Sequence, residues 1–189
     1  MKERRGRWHE GLRGVPPERL VFIDESGAKT NMTRLYGWGP RDERVVDRTP
    51  HSHWKTCTML AAVRLDGPLA AVTIDAAVDA ESFVLWTQEV LVPCLHPGDV
   101  VVMDNLPAHK HPGVAEAIEA SGARLLYLPP YSPDFNPIEP MWSKIKTALR
   151  AAAARTFESL GTAIDDAFAS ITPQDCQGFF RHCGYPAMS

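Results

Sequence analysis

The sequence predicts an α/β domain, a mixed five-stranded sheet flanked by helices, and three observations carry that prediction. Two short apolar runs, Val21-Phe22-Ile23 and Val100-Val101-Val102-Met103, each end in acid, at Asp24-Glu25 and Asp104-Asn105. They read as strands buried on both faces, the kind found centrally in a helix-covered sheet. Residues 57–65 and 69–74 are strand-like runs around Asp66-Gly67, a hairpin signal. From 79 to 128 helical and extended patterns alternate, which implies parallel additions to the sheet.

Taken in order, residues 1–19 are a basic lead-in with six cations against three acids. The first strand follows, and residues 28–55 form an inserted loop containing Tyr36-Gly37-Trp38-Gly39-Pro40. Loops this long in compact domains are usually functional; the alternative is an accessory strand pair that packs Trp38 onto the sheet. After the hairpin, Phe83, Trp86 and Val90 recur at helical spacing within 79–92. A strand is expected at 99–103, a helix at 113–120 and a strand at 124–128. Pro129, Pro130, Pro133 and Pro137 then keep the backbone stiff and extended up to Asn136. Asn136 is a suitable N-cap and Pro137 suits the first helical position, with Ile138, Trp142, Ile145 and Leu149 as the apolar stripe. Residues 20–150 make the main domain and 151–189 a C-terminal helical extension. There Leu160, Ile164 and Phe168 repeat every fourth residue and Thr172-Pro173 opens a further helix. Phe179, Phe180 and Tyr185 either dock this tail on the core or form an exposed aromatic patch for dimerisation.

With 189 residues and 44% hydrophobic content, one domain with a sizeable core is expected. No segment approaches the roughly 18 apolar residues of a membrane span, and the charged start lacks the apolar stretch of a secretory signal. A cytoplasmic location follows as the expectation, with Cys57, Cys94, Cys176 and Cys183 as reduced thiols. Cys176, His182 and Cys183 are too few for a zinc site, and His51 and His53 suit a solvated loop better than a metal. The net charge of −3 and pI near 6.2 argue at first against nucleic acid. The distribution argues otherwise. Residues 29–55 carry six cations against three acids and 141–155 four against none, while 79–120 hold one cation against seven acids. Basic segments can thus present phosphate-binding surface on an acidic protein.

The chemistry-bearing residues are acids. A carboxylate at the end of a buried strand is costly unless neutralised, and Asp24 and Asp104 both stand there. Glu139 lies off the apolar stripe of its helix, on a face shared with Ser143, Lys146 and Arg150. Asn136-x-x-Glu139 is also the spacing of a capping box, so a purely structural role competes. Three converging carboxylates would repel one another, and Mg²⁺ or Mn²⁺ is the usual remedy.

Asp24, Asp104 and Glu139, the last two separated by 34 residues, together with FIDESG, MDNLPAHK and LPPYSPDFNPIEPMWSKIK, resemble the DDE triad and surrounding motifs of mariner-like transposases, specifically their bacterial insertion-sequence branch. The resemblance covers about residues 20–150 and runs more loosely to Tyr185. It implies an RNase H-like, retroviral-integrase-like fold with the two aspartates on adjacent central strands. It also implies that Asp24, Asp104 and Glu139 hold two Mg²⁺ (or Mn²⁺), that hydrolysis frees a 3′-OH at the element's end, and that this hydroxyl attacks target DNA. Lys144, Lys146 and Arg150 on the helix, and Arg41, Arg44 and Lys55 in the inserted loop, are the candidate DNA contacts. Asn105 and His109 would orient a nucleophile or ligand, or serve a turn or cap. The expected partners are transposon-end and target DNA, a second copy in a homodimer, and an upstream helix-turn-helix polypeptide or domain, with the inserted loop contacting DNA or the other subunit. Only about nineteen residues precede the first strand, so the chain resembles the downstream half of a protein split across two frames, or a truncated remnant. Two rival functions stand beside this one: a structure-selective nuclease on the same fold, and a non-catalytic DNA-binding remnant.

Overall fold

Five strands pair into one sheet in the order β3-β2-β1-β4-β5: β1 Leu20–Lys29, β2 Thr56–Arg64, β3 Gly67–Ile74, β4 Val100–Met103 and β5 Arg124–Tyr127. This computed structural model describes residues 2–51 and 53–185, the side chains of 2–4 excepted. β1 is antiparallel to β2 and parallel to β4, with Leu20 opposite Val100, and β5 adds in parallel beyond β4. The two acid-terminated apolar runs are therefore neighbouring strands in the sheet's interior. Their alternation sorts the core into two layers. Leu20, Phe22 and Ala28 face α4 (Ile138–Ala152), α5 (Phe157–Ala169) and α6 (Pro173–His182), whereas Val21 and Ile23 face α2 (Ala80–Trp86) and α3 (Pro112–Ala120).

The hairpin turn is one residue earlier than the Asp66-Gly67 signal suggests: Arg64 pairs with Gly67, leaving Leu65 and Asp66 at the tip. Past it, β3 carries a bulge at Ala70, whose φ of 53° turns its carbonyl to accept the Trp86 indole N–H at 3.0 Å. The α2 helix is capped by Asp79 and runs on as a π-turn over Thr87–Leu91. That extra residue per turn shifts the buried face, so Leu91 rather than the expected Val90 is fully enclosed.

Between β1 and β2, the described residues of 31–55 contain no helix or strand, and Trp38 is fully exposed. The accessory strand pair with a docked Trp38 is therefore not formed. At the other end the tail docks: Phe180 and Tyr185 are buried, Phe180 packing edge-on against Phe22 at 5.5 Å, so these two aromatics do not form an exposed patch. Cys176 and Cys183 lie in the same core, where burial pushes each thiol up to about 11.

The lead-in held a helix that sequence pattern did not disclose, α1 (Lys2–Gly11). It has no apolar stripe, and Trp8 is its one large apolar side chain. Its order comes from tertiary contacts. The Trp8 indole N–H donates to the Tyr185 hydroxyl at 2.6 Å, and that hydroxyl donates to the Phe135 carbonyl at 2.8 Å. Arg5 grips Asp134 through two bonds of 3.1 and 2.7 Å and also donates to the Tyr131 carbonyl and Ser132 Oγ. Both ends of the chain thus fasten the proline-rich loop that leads into α4.

Asp175 caps α6 through Thr172 and pairs with Lys144 of α4, which together hold its carboxyl down at about 2. A depressed folded value means that this tie is fully present above the ordinary carboxylate value near 3.8 and is lost as pH falls toward 2. Asp175→Asn should accordingly flatten the acid limb of a stability-versus-pH curve between pH 4 and 2, as read by urea melts, by at most about 1 kcal/mol for so exposed a pair.

Candidate active site

Parallel pairing sets the C-terminal ends of β1 and β4 side by side, the edge at which open α/β sheets build their sites. Asp24 stands within β1 opposite Ala61, and Asp104 follows the last residue of β4 directly. β5 is held beside them: the Leu128 N–H donates to the Met103 carbonyl at 2.9 Å, and Asn105 Nδ2 donates to the Leu128 carbonyl at 2.5 Å. From Leu128 the prolines carry the chain across to α4, whose first turn presents Glu139. The helix proper begins at Ile138, one residue later than expected, and Asn136 Oδ1 accepts a long 3.4 Å bond from the Ile138 N–H. The capping-box alternative for Glu139 is not formed, because the Asn136 N–H donates to the Pro133 carbonyl at 2.9 Å instead.

Asp24, Asp104 and Glu139 line one cleft of about 460 Å³, walled by Asn105 and by the loop from Leu128 to Pro133. Their electrostatics are those of crowded acids. Asp24 retains partial surface exposure yet is enclosed by protein on most sides, and burial followed by repulsion from Glu139, Glu25 and Asp104 pushes its carboxyl up to about 7. Burial would raise Asp104 too, but contact with His109, the Leu106 N–H and the charges of His109 and Lys110 outweigh it and hold this carboxyl below the usual range. A set of hard carboxylate oxygens suits Mg²⁺ or Mn²⁺. Among the described residues no three acidic, His or Cys side chains are already gathered around one point, so closing on an ion asks for side-chain rotation. Glu139, exposed at the start of α4, has room for it.

The candidate DNA contacts separate. Lys146 and Arg150 lie on the Glu139 side of α4 and line a separate groove of about 420 Å³ with Lys29 and the start of the inserted segment. Lys144 is turned away from them, paired with Asp175 on α6, and so belongs to the tail's docking and not to that groove. Lys55 sits over the Phe157 ring at 5.7 Å, while Arg41 and Arg44 are exposed on the inserted segment. His51 and His53 are exposed there as well.

Two residues at the site were not singled out from sequence, Glu25 and Lys29. His109, expected to orient a nucleophile or ligand or to serve a turn or cap, is fully buried: Nε2 lies 2.9 Å from Glu25 Oε2 and Nδ1 2.6 Å from Asp104 Oδ1. The Nδ1 contact is short but poorly aligned for a hydrogen bond, an ionic contact more than a directed one. Burial works against charge on this ring, yet the two carboxylates win and raise it to about 9. The sequence signal for Glu25 was its position next to Asp24, where alternation must send it to the opposite face of β1.

Similarity to known proteins agrees with this architecture. The Mos1 transposase in its paired-end complex with the left transposon end superposes with a TM-score of 0.75 over 95% of this chain, at 17% identity, and the chain spans 57% of that protein. The Mos1 strand transfer complex gives 0.73 over 97% of this chain and 58% of that one, at 17% identity. The isolated catalytic domain of Mos1 mariner transposase gives 0.67 over 96% of this chain and 86% of that one, at 15% identity. At such identities the likeness is one of fold, and the fold is RNase H-like. The chain spans little more than half the length of the Mos1 protein in those complexes. No curated protein matches in sequence. The profile described as DDE superfamily endonuclease matches residues 19–161, and the chain belongs to that family.

Proposed function

We propose that this chain is the catalytic domain of a transposase from the bacterial insertion-sequence branch of mariner-like elements, cutting DNA at the element's ends and joining the freed 3′-OH to target DNA. The observation that carries the reading is the sharing of one cleft by Asp24, Asp104 and Glu139, three acids brought from β1, the end of β4 and the start of α4. Asp24, Asp104 and Glu139 would together hold the two Mg²⁺ or Mn²⁺ that the reaction calls for. Cations bound there would supply Lewis acidity at the phosphate and lower the pKa of the attacking water. The protein's own residues do the positioning. Asn105 pins Leu128 and so fixes the cleft wall, and the loop from Pro129 to Phe135, fastened by Arg5 and Tyr185, fixes where α4 delivers Glu139. A water and a sugar hydroxyl are equivalent oxygen nucleophiles at such a site, so one cleft serves cleavage and joining.

Lys146 and Arg150, with Lys29, form the phosphate track leading away from the cleft. Lys146→Ala and Arg150→Ala should each flatten the slope of log affinity against log salt by about 0.9 on duplex DNA. Lys144→Ala is the control: its slope should stay unchanged, and stability should drop by no more than about 1 kcal/mol. A slope that moves with Lys144 and not with Lys146 would place the track on the wrong side of α4. Transposon-end and target DNA, a second copy of the chain and an upstream helix-turn-helix polypeptide are the proposed partners. Leu35, Tyr36, Trp38 and Val46, all exposed on the inserted segment, support a contact there with DNA or the second copy.

The test is a Mg²⁺-supplemented reaction on labelled duplex cut from the DNA on either side of the coding sequence, where the reading requires inverted repeats. Cleaved ends and joined products, both lost in EDTA, are expected. Cleavage with no joined product would make the protein a structure-selective nuclease, and neither product would make it a non-catalytic remnant.

A further inference from the structure

Behind the cleft, on the opposite face of β1, lies an arrangement that cleavage chemistry does not itself require. Consecutive acids on one strand point to opposite sides: Asp24 lines the cleft, while Glu25 meets His109 on the side of α2. The His109 ring is 0% exposed and stacks on Phe83 of α2 at 4.4 Å and 32°. Its backbone carbonyl accepts the Tyr127 hydroxyl at 3.0 Å, so a second strand fixes the short turn Ala108–Lys110 that carries it. Each ring nitrogen faces a carboxylate oxygen, Glu25 Oε2 on one side and Asp104 Oδ1 on the other. Asp104 Oδ1 also accepts the Leu106 N–H at 2.9 Å. Held from two sides at Oδ1, Asp104 keeps Oδ2 for the cleft.

We propose that Glu25 and His109 are a positioning pair for Asp104, a buried carboxylate–imidazole–carboxylate line that aims one oxygen of Asp104 at a divalent cation in the cleft. The inference rests on the metal-dependent reading of that cleft. Neither residue touches DNA or the ion; Glu25 orients the imidazole and the imidazole orients the acid. Partners of this kind behind ligating groups, when removed, typically weaken metal affinity by about 10–100-fold.

Calorimetric titration of the full chain with Mn²⁺ tests it, with thermal melting run alongside. His109→Gln should weaken Mn²⁺ binding about tenfold or more. Glu25→Gln, at a partly exposed position where folding is not at risk, should weaken it in the same direction, and the Glu25→Gln/His109→Gln double variant should lose less than the product of the two, because both act through one line. A merely structural histidine would lower the melting temperature and leave Mn²⁺ affinity as in the wild type; that result, or wild-type affinity in Glu25→Gln, overturns the proposal. Asp104→Asn separates the two readings. If it binds Mn²⁺ like the wild type, the cleft is not the metal site and the pair has nothing to position; if it loses binding while His109→Gln and Glu25→Gln do not, the metal reading stands and the pair alone is refuted.

Discussion

Asp24→Asn is expected to abolish Mg²⁺- or Mn²⁺-dependent cleavage and to leave the protein at least as stable as before. Activity and stability part company here because the wild-type carboxylate is unfavourable in the metal-free fold: burial and the neighbouring Glu139, Glu25 and Asp104 lift it to about 7. The amide keeps the shape and removes the charge that repels. The loss of several kcal/mol of transition-state stabilisation by a misplaced metal corresponds to a rate fall of about three orders of magnitude or more. The sign of the stability effect follows from the raised value. In EDTA the wild type is penalised fully above pH 7, and the penalty fades as pH falls from 7 toward the ordinary 3.8. Urea melts should therefore show the variant gaining most at pH 8, a few kcal/mol at most, and little at pH 4. A variant that lost stability at pH 8 would mean that Asp24 is a structural acid.

Phe22→Ala should cost about 3–5 kcal/mol, the range for removing a fully buried aromatic. Phe22 is 0% exposed on the α4 side of β1, edge-on to Phe180 at 5.5 Å and tilted against Tyr185 at 5.1 Å. It lies two residues before Asp24 on the same face of the strand. The substitution therefore removes the seat of the C-terminal tail and, through Tyr185, slackens the hold on the Phe135 carbonyl ahead of α4. Against a total stability of roughly 5–15 kcal/mol, such a loss is large enough to be seen in any denaturant melt. A cost below about 1 kcal/mol would mean that the tail does not dock on the sheet as described.

The parts of the site that were legible in sequence are those whose signal is local. Asp24 and Asp104 stood out because an acid ends an apolar run, and Glu139 because it falls off the apolar stripe of its helix. The sheet was legible for the same reason, since strand burial, hairpin and helix alternation each leave a short-range pattern. What could not be read depends on contacts between distant segments. α1 has no amphipathic stripe and exists through Arg5–Asp134 and Trp8–Tyr185, contacts more than a hundred residues apart in sequence. Helical spacing put Lys146 on the Glu139 face and left Lys144 off it, but only the position of α6 decides that Lys144 is tied to Asp175. The π-turn at Thr87–Leu91 displaced Val90 for Leu91 because periodicity assumes a constant turn. Glu25 and His109 are 84 residues apart, and nothing in either neighbourhood announces the other.

The claim that Asp24, Asp104 and Glu139 form one metal-dependent active site is tested most directly by anomalous diffraction from crystals of the chain soaked in Mn²⁺. Manganese density is expected in the cleft between β1, β4 and α4, with each of the three carboxylates drawn to within about 2.2 Å of an ion there, near the short distances hard divalent ions demand. Manganese bound only elsewhere, or bound in the cleft with Glu139 outside the coordination of every ion there, would contradict it.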